Sequence, residues 1–112
     1  MIFNLEPVKR DKTGKLIADY SYRDFYEKIG EELMKAHEEA VWTVFFANEI
    51  GDGSRLQEEA HYEILELLDL MTAVATRINA LADEHGFSDD DLAEMQGYIV
   101  EHNRKRGYFD EP

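Results

Sequence analysis

Apolar residues recur every three or four positions along three stretches of the chain, and this period is typical of helices that bury one face. The first stretch covers about residues 22–50, the second about residues 56–84, and the third begins after Ser88. Ser21 is a suitable N-cap for the first helix, and Asp24 occupies the capping-box position three residues later. Ser88 precedes an acidic first turn, which suits the helix dipole. The pattern therefore predicts three helices.

The stretches outside these helices contain residues that end helices or form turns. The loop Gly51-Asp52-Gly53-Ser54 is expected to follow the first helix, and Gly86 is expected to end the second. The first 20 residues are expected to be extended, because Pro7 interrupts regular structure and residues 11–15 have the composition of a turn. We therefore expect an all-α fold, with a strap or hairpin over residues 1–20 and one helical domain of three or more helices over residues 21–112.

The second predicted helix is apolar around most of its circumference. One stripe contains Ala60, Ile64, Leu67, Met71, Val74, Ile78 and Leu81, and further apolar residues widen it. Such a helix is packed on several sides, either in the core of a monomeric bundle or along the seam between subunits. Because only about three helices are present to cover it, self-association as a homodimer or homotetramer is the favoured alternative.

Charge and composition exclude several classes of protein. The 25 Asp and Glu residues outnumber the 12 Lys and Arg residues, and the net charge is −13. That balance argues against binding to a nucleic acid polymer or to an anionic membrane, since both need basic contacts. The chain has no cysteine, and it has neither a signal-peptide pattern nor an apolar run of about 18 residues. A cytoplasmic protein is the expectation.

Acidic residues inside the helices are the candidate chemical groups. Glu66 and Asp69 are three residues apart within an apolar helix, so their carboxylates project from neighbouring positions on one surface. One interpretation is that they form the polar strip of this helix and face solvent. The other is that they are buried and hold a cation, because buried carboxylates are costly otherwise. The first helix carries a second acidic cluster, at Glu31, Glu32, Glu38 and Glu39.

The end of the chain combines positive charge with aromatic rings. Its sequence is Asn103-Arg104-Lys105-Arg106-Gly107-Tyr108-Phe109, which holds three of the 12 basic residues. Basic residues near a helix C-terminus stabilise the helix dipole, but this composition also suits an anionic ligand that carries a ring. Acidic helices and a basic tail together are the parts of a magnesium-dependent site for phosphates.

These motifs resemble those of the MazG-like nucleotide pyrophosphohydrolases, an all-α family that includes phosphoribosyl-ATP pyrophosphohydrolase and dimeric dUTPase. The segment from Glu66 to Asp69 is similar to the family's Glu-x-x-Asp motif, and Lys28-Ile29-Gly30-Glu31-Glu32-Leu33 is similar to its first acidic helix. The basic tail with Arg-Gly-Tyr also resembles that of phage and bacterial members. The three motifs lie in the family's order over about residues 22–109.

The resemblance implies a MazG-like helical dimer or tetramer that hydrolyses a nucleoside triphosphate to the monophosphate and pyrophosphate. It implies Mg²⁺, or Mn²⁺ in its place, held by Glu32, Glu66 and Asp69. Glu31 would be a further ligand or the base that orients water. The tail residues Asn103, Lys105, Arg106 and Tyr108 would contact the nucleotide.

Lys35 departs from the family pattern, because a glutamate is expected at its position. Its ammonium would repel a bound metal ion. Three alternatives follow: Glu38 or Glu39 replaces the missing ligand, Lys35 contacts a phosphate directly, or the protein binds nucleotides without hydrolysing them. The third alternative corresponds to a catalytically inactive nucleotide-binding or protein-interaction module on the same scaffold.

Overall fold

The all-α prediction is confirmed by the computed structural model, which describes residues 4–48 and 53–111. In that part of the chain no residue forms an extended strand. The elements, in chain order, are a single-turn 3-10 helix at Ile17–Asp19 and the helices α1 at Tyr22–Ala47, α2 at Gly53–His85 and α3 at Asp89–Lys105.

Both predicted N-caps begin their helices. The Ser21 hydroxyl accepts a hydrogen bond from the Asp24 amide, and the Asp24 carboxylate accepts one from the Ser21 amide. Ser88 and Asp91 make the same reciprocal pair at the start of α3. Each capping box satisfies amide groups that the first turn of a helix leaves without partners.

The predicted helix ends differ from the observed ones by a few residues. Helix α1 ends at Ala47 rather than near Ile50, which lies outside the described residues, as do Gly51 and Asp52. Gly53 and Ser54, expected in the loop, already belong to α2. Gly86 ends α2 as predicted, with a φ of +76° that favours glycine.

Helices α1 and α2 form an antiparallel hairpin, and three contacts define its register. At the closed end, the Arg55 guanidinium lies 4.6 Å from the Phe46 ring centroid. At the open end, the Arg77 guanidinium lies 4.9 Å from the Phe25 ring. Between them, Glu32 of α1 meets α2 at Glu66 and Asp69. The α1–α2 interface therefore supplies the surface on which the acidic residues converge.

The core of the single chain is small. Its buried hydrophobic residues are Phe25, Ala36, Ala75, Ala82 and Leu92, and no large side chain of the described residues is completely buried. Ile64, Leu67 and Met71, which the sequence pattern places in the central stripe of α2, are 56, 42 and 40 % exposed. Within one chain, α2 therefore does not have the covered apolar circumference that its sequence predicts.

The dimensions of the chain agree with this incomplete burial. The radius of gyration is 17.5 Å, whereas a compact domain of this length has about 13 Å. The accessible surface is 8577 Å², which exceeds by roughly 2,200 Å² the area expected for a folded monomer of 13.0 kDa. Many of the large apolar side chains on the helices are exposed.

The N-terminal segment from Val8 to Tyr20, which we name the strap, lies against the α1–α2 hairpin. The Val8 amide donates a hydrogen bond to the Thr76 hydroxyl of α2, at 3.1 Å across 68 residues of sequence. A single antiparallel bridge joins Arg10 to Leu16, and the turn between them includes Gly14 at a φ of +88°. Local turns, the bond to Thr76 and the ion pair of Lys15 with Asp24 of α1 therefore hold the strap without a sheet.

The Asp11 carboxylate organises the strap. It accepts hydrogen bonds from the Thr13 amide and hydroxyl, from the Lys15 amide and from the Tyr20 hydroxyl. The hydroxyls of Thr13 and Tyr20 lower the pKa of Asp11 to about 2. Desolvation and the hydrogen bond to Asp11 raise the pKa of Tyr20 to about 12. Both shifts indicate that the carboxylate form of Asp11 holds the turn.

None of the helices in the described ranges is long and apolar enough to cross a membrane.

We predict that Asp11→Ala will unfold the strap and leave the helices intact. The folded pKa of Asp11 lies below its ordinary value of 3.8, so the stabilisation is present above about pH 4 and is lost as the pH falls towards 2. The hydrogen-exchange protection factors of the Thr13 and Lys15 amides, which are corrected for the pH dependence of intrinsic exchange, should therefore fall in the variant, and in the wild type on acidification. Asp19→Ala, on the same segment, is the control. Unchanged protection in Asp11→Ala would contradict the prediction.

Candidate metal centre

Three carboxylates from two helices converge at the middle of the α1–α2 interface. Glu32 comes from α1, and Glu66 and Asp69 come from α2, where a spacing of three residues places them on one surface. One oxygen from each carboxylate lies within 4.8 Å of the others. We name Glu32, Glu66 and Asp69 the acidic triad. The same three residues were expected as metal ligands on the strength of the family resemblance.

Glu32 is the buried member of the triad, and two lysines compensate its charge. Its side chain is 6 % exposed; Lys28 Nζ lies 2.7 Å and Lys35 Nζ 3.5 Å from Glu32 Oε1. Burial raises the pKa of Glu32, but the hydrogen bond and charge of Lys28, assisted by Lys35, outweigh this effect and lower the pKa overall. The hydrogen bond to Glu32 in turn raises the pKa of Lys28. Glu32 is therefore held as a carboxylate.

Glu66 lacks such compensation. Its Oε2 atom is buried, and no hydrogen-bond donor from the described residues reaches it. A buried carboxylate oxygen without a partner costs free energy, and a bound cation would remove that cost. Glu66 is half-buried with one oxygen enclosed, whereas Asp69 is exposed and lies at the cavity described below.

The lysine nearest the triad is not the one that the sequence singled out. Lys35 attracted attention because it departs from the family motif, but Lys28 lies closer to Glu32 and also interacts electrostatically with Glu31 and Asp69. Lys28 and Glu32 are four residues apart on one helix. This spacing is visible in the sequence, and it predicts their ion pair.

The remaining predicted acidic residues lie around the triad. Glu31 is largely exposed, with its carboxylate 4.0 Å from Lys28 Nζ. Glu39 is not among the three residues that converge. Partial burial, together with Glu59 and the nearby charges of Glu66 and Glu38, raises the pKa of Glu39. The prediction that Glu39 is a metal ligand stays a prediction.

A cavity of about 510 Å³ opens beside the triad, between the strap and the helix hairpin. Its helix wall includes Glu31, Glu32 and Asp69, and its strap wall includes Lys12 and Lys15. The volume lies in the range of roughly 300–1,000 Å³ that is typical of small-molecule sites. The strap wall is a part of the site that the sequence analysis did not identify.

The basic tail does not line this cavity. Asn103, Lys105, Arg106 and Tyr108 lie at the end of α3 and in the turns that follow it, and none of them is among the cavity-lining residues. The Arg106 guanidinium instead lies 5.9 Å from the Tyr108 ring, and the Tyr108 amide bonds to the Asn103 carbonyl. Their predicted contact with a nucleotide stays a prediction.

No protein-family model, curated protein or solved structure matches this chain. The MazG-like resemblance therefore rests on the three sequence motifs alone. By its chemistry, the triad is a set of oxygen donors suited to a hard divalent cation.

We predict that Glu66→Gln will stabilise the metal-free protein and abolish its stabilisation by divalent cations. The substitution removes one of three mutually repelling charges, so the unfolding midpoint without metal should rise by a few degrees. Thermal unfolding with and without millimolar Mg²⁺ or Mn²⁺ measures both effects. Glu84→Gln, a largely exposed position on the same helix, is the matched control. A variant that is still stabilised by metal would exclude Glu66 as a ligand.

Proposed function

We propose that this protein is a Mg²⁺-dependent hydrolase that converts a nucleoside triphosphate to the monophosphate and pyrophosphate, with Mn²⁺ as a substitute metal. The observation that carries the proposal is the convergence of Glu32, Glu66 and Asp69 around a buried carboxylate oxygen with no described partner. The adjoining cavity is large enough for a small ligand and has cationic residues on its other wall.

The residues present fit a magnesium ion. Mg²⁺ prefers hard oxygen ligands and is usually held by one or two carboxylates together with phosphates and water. When bound, it supplies positive charge that neutralises phosphate oxygens. Glu66 and Asp69 offer carboxylates that are not engaged in ion pairs within the described residues, and Glu32 offers a third.

The reaction needs a water molecule to be deprotonated as the phosphoanhydride bond breaks. Glu31 is exposed at the cavity beside Glu32 and is the candidate general base. The water contributes a hydroxyl to one phosphorus and a proton to the base, and pyrophosphate leaves with the former bridging oxygen. The Lys28 side chain is 38 % exposed and lines the cavity, so its ammonium group is placed to contact a phosphate oxygen there. Lys35 could provide a second such contact.

A second candidate function is nucleotide binding without hydrolysis. It is favoured by the two ammonium groups beside Glu32 Oε1, which already offset the charge of this carboxylate. If Lys28 and Lys35 remain on Glu32, they lower the affinity for Mg²⁺ by Coulomb repulsion. The site then binds a phosphate chain through cations and lacks the activated water.

We further propose that the protein is a homodimer or homotetramer in which the exposed apolar residues of α1 and α2 are covered by other copies. Trp42 and Phe45 of α1 and Ile64 and Leu67 of α2 each have about half of their surface exposed. Large exposed apolar patches are rare on monomers and mark interaction surfaces. Assembly would also allow the tail of one copy, with Lys105 and Arg106, to reach the cavity of another.

The enzyme proposal predicts pyrophosphate release from one or more members of a panel of ribo- and deoxyribonucleoside triphosphates. The activity should require Mg²⁺ or Mn²⁺ and fall by at least about 100-fold in Glu66→Ala, because the metal loses a buried ligand. Glu84→Ala should remain active. A parallel thermal-unfolding assay should show about 2.7 kcal/mol of stabilisation when the metal is at 100 times its dissociation constant.

Two outcomes separate the candidates. If no triphosphate is hydrolysed but one still raises the unfolding midpoint, the protein is a nucleotide-binding module. If Lys28→Met and Lys35→Met then raise the affinity for Mg²⁺, the two lysines are the reason why the metal binds weakly in the wild type. If neither metal nor any triphosphate binds, both candidate functions are excluded.

For the oligomer, we predict a mass of at least twice the 13.0 kDa chain by light scattering at micromolar concentration. Ile64→Lys should shift the protein towards monomer, because it places a charge on the apolar face of α2. Leu16→Lys, at an exposed strap position, is the control. A wild-type monomer would refute the assembly.

A further inference from the structure

The cavity beside the triad has opposite charge on its two walls. The charged residues of its helix wall are mostly acidic, and those of its strap wall are mostly basic. The helix wall carries Asp24, Glu27, Glu31, Glu32 and Asp69 with Lys28, and the strap wall carries Arg10, Lys12 and Lys15 with Asp11. Within residues 9–15 there are four of the 12 basic residues of the chain and only one acidic residue. In a protein with a net charge of −13, this concentration of positive charge opposite an acidic cluster is unusual.

The cations of the strap wall differ in what they already contact. Lys15 Nζ is paired with Asp24 at 3.2 Å and lies over the Tyr20 ring. Arg10 uses one of its five N–H donors on the Gly14 carbonyl. Lys12 makes no ion pair or hydrogen bond with any residue in the described ranges, although it lines the cavity. Lys12 is therefore the strap cation that is available to a ligand.

The strap holds these residues in place before any ligand arrives. The Asp11 carboxylate, with its four hydrogen bonds, fixes the turn on either side of Lys12. The bond from Val8 to Thr76 anchors the same segment to α2, about two helical turns from Asp69. A prearranged cation loses less conformational entropy on binding than one on a free chain end.

We propose that the strap, through Lys12 with Arg10 beside it, is the phosphate-binding wall of the site. A metal–polyphosphate complex matches both walls, because its cation suits the acidic triad and its phosphate oxygens suit ammonium and guanidinium groups. This assignment rests on the proposed function for the metal. It differs from that proposal in assigning phosphate binding to the N-terminal strap rather than to the basic tail.

The test compares three full-length variants with the wild type. Lys12→Ala and Lys12→Glu remove or reverse the charge at the cavity. Lys9→Ala makes the same charge change three residues earlier on the strap's exposed side, at a residue that does not line the cavity. Binding of inorganic tripolyphosphate with Mg²⁺ is measured by calorimetry, and binding of Mn²⁺ alone by electron paramagnetic resonance. Hydrogen exchange of the Thr13 amide checks that the strap stays folded.

We expect Lys12→Ala to weaken tripolyphosphate binding by about tenfold, which corresponds to one charge-assisted hydrogen bond. Lys12→Glu should weaken it further, and Lys9→Ala should leave it within about twofold of the wild type, as expected for a screened surface charge. The affinity for Mn²⁺ alone should not fall in any of the three variants, because Lys12 is not a metal ligand and its removal takes positive charge away from the cavity.

The other outcomes overturn one proposal or the other. If Mn²⁺ binds but Lys12→Ala binds tripolyphosphate as tightly as the wild type, the strap assignment is wrong and the metal site stands. Equal losses in Lys9→Ala and Lys12→Ala would also overturn it, because they indicate a general charge effect.

If Mn²⁺ does not bind while tripolyphosphate binding still depends on Lys12, the metal site is wrong and the strap assignment stands. A wild type that binds no tripolyphosphate overturns the strap assignment.

Discussion

Like charge brought together at the α1–α2 interface is the constraint on which the arrangement around it depends. Glu32, Glu66 and Asp69 place carboxylate oxygens within 4.8 Å of one another, and carboxylates this close repel unless cations lie beside them. Lys28 and Lys35 offset the charge on Glu32, but Glu66 retains a buried oxygen without a described partner. Glu66 is therefore the member of the triad to which a bound cation would supply the missing partner.

The same constraint explains why the strap matters to the site. Its docking to α2 through Thr76 closes one side of a cavity whose other side would otherwise be an exposed acidic surface. The strap then contributes Arg10, Lys12 and Lys15 to a cavity whose helix wall is mostly acidic. A ligand with a cationic and an anionic part fits such a cavity better than either ion does alone.

The exposed apolar surface of α1 and α2 has a different origin. A hairpin of two long helices buries one face of each helix, and the small third helix covers little of what remains. The accessible area and the radius of gyration both exceed those of a compact monomer. An apolar surface of this extent agrees with the proposed assembly, and in that assembly the site would lie close to residues of other copies.

The sequence by itself determined the features that depend on neighbouring residues. The helix periods, the capping boxes at Ser21 and Ser88 and the helix stop at Gly86 involve residues a few positions apart, so local preferences suffice to predict them. The i, i+3 spacing of Glu66 and Asp69 is local in the same way. Their approach to Glu32 was expected only because the motifs resemble those of a known family.

Only the tertiary structure decided which face of each helix is covered and what surrounds the triad. The apolar stripe of α2 and its acidic strip were both visible in the sequence, but the structure turns Glu66 towards α1 and leaves Ile64 exposed. The strap reaches the site through a bond that spans 68 residues of sequence. Contacts of this kind depend on how separate elements dock. Helix periodicity does not predict that docking, because a periodic pattern defines an apolar face but not the element that packs against it.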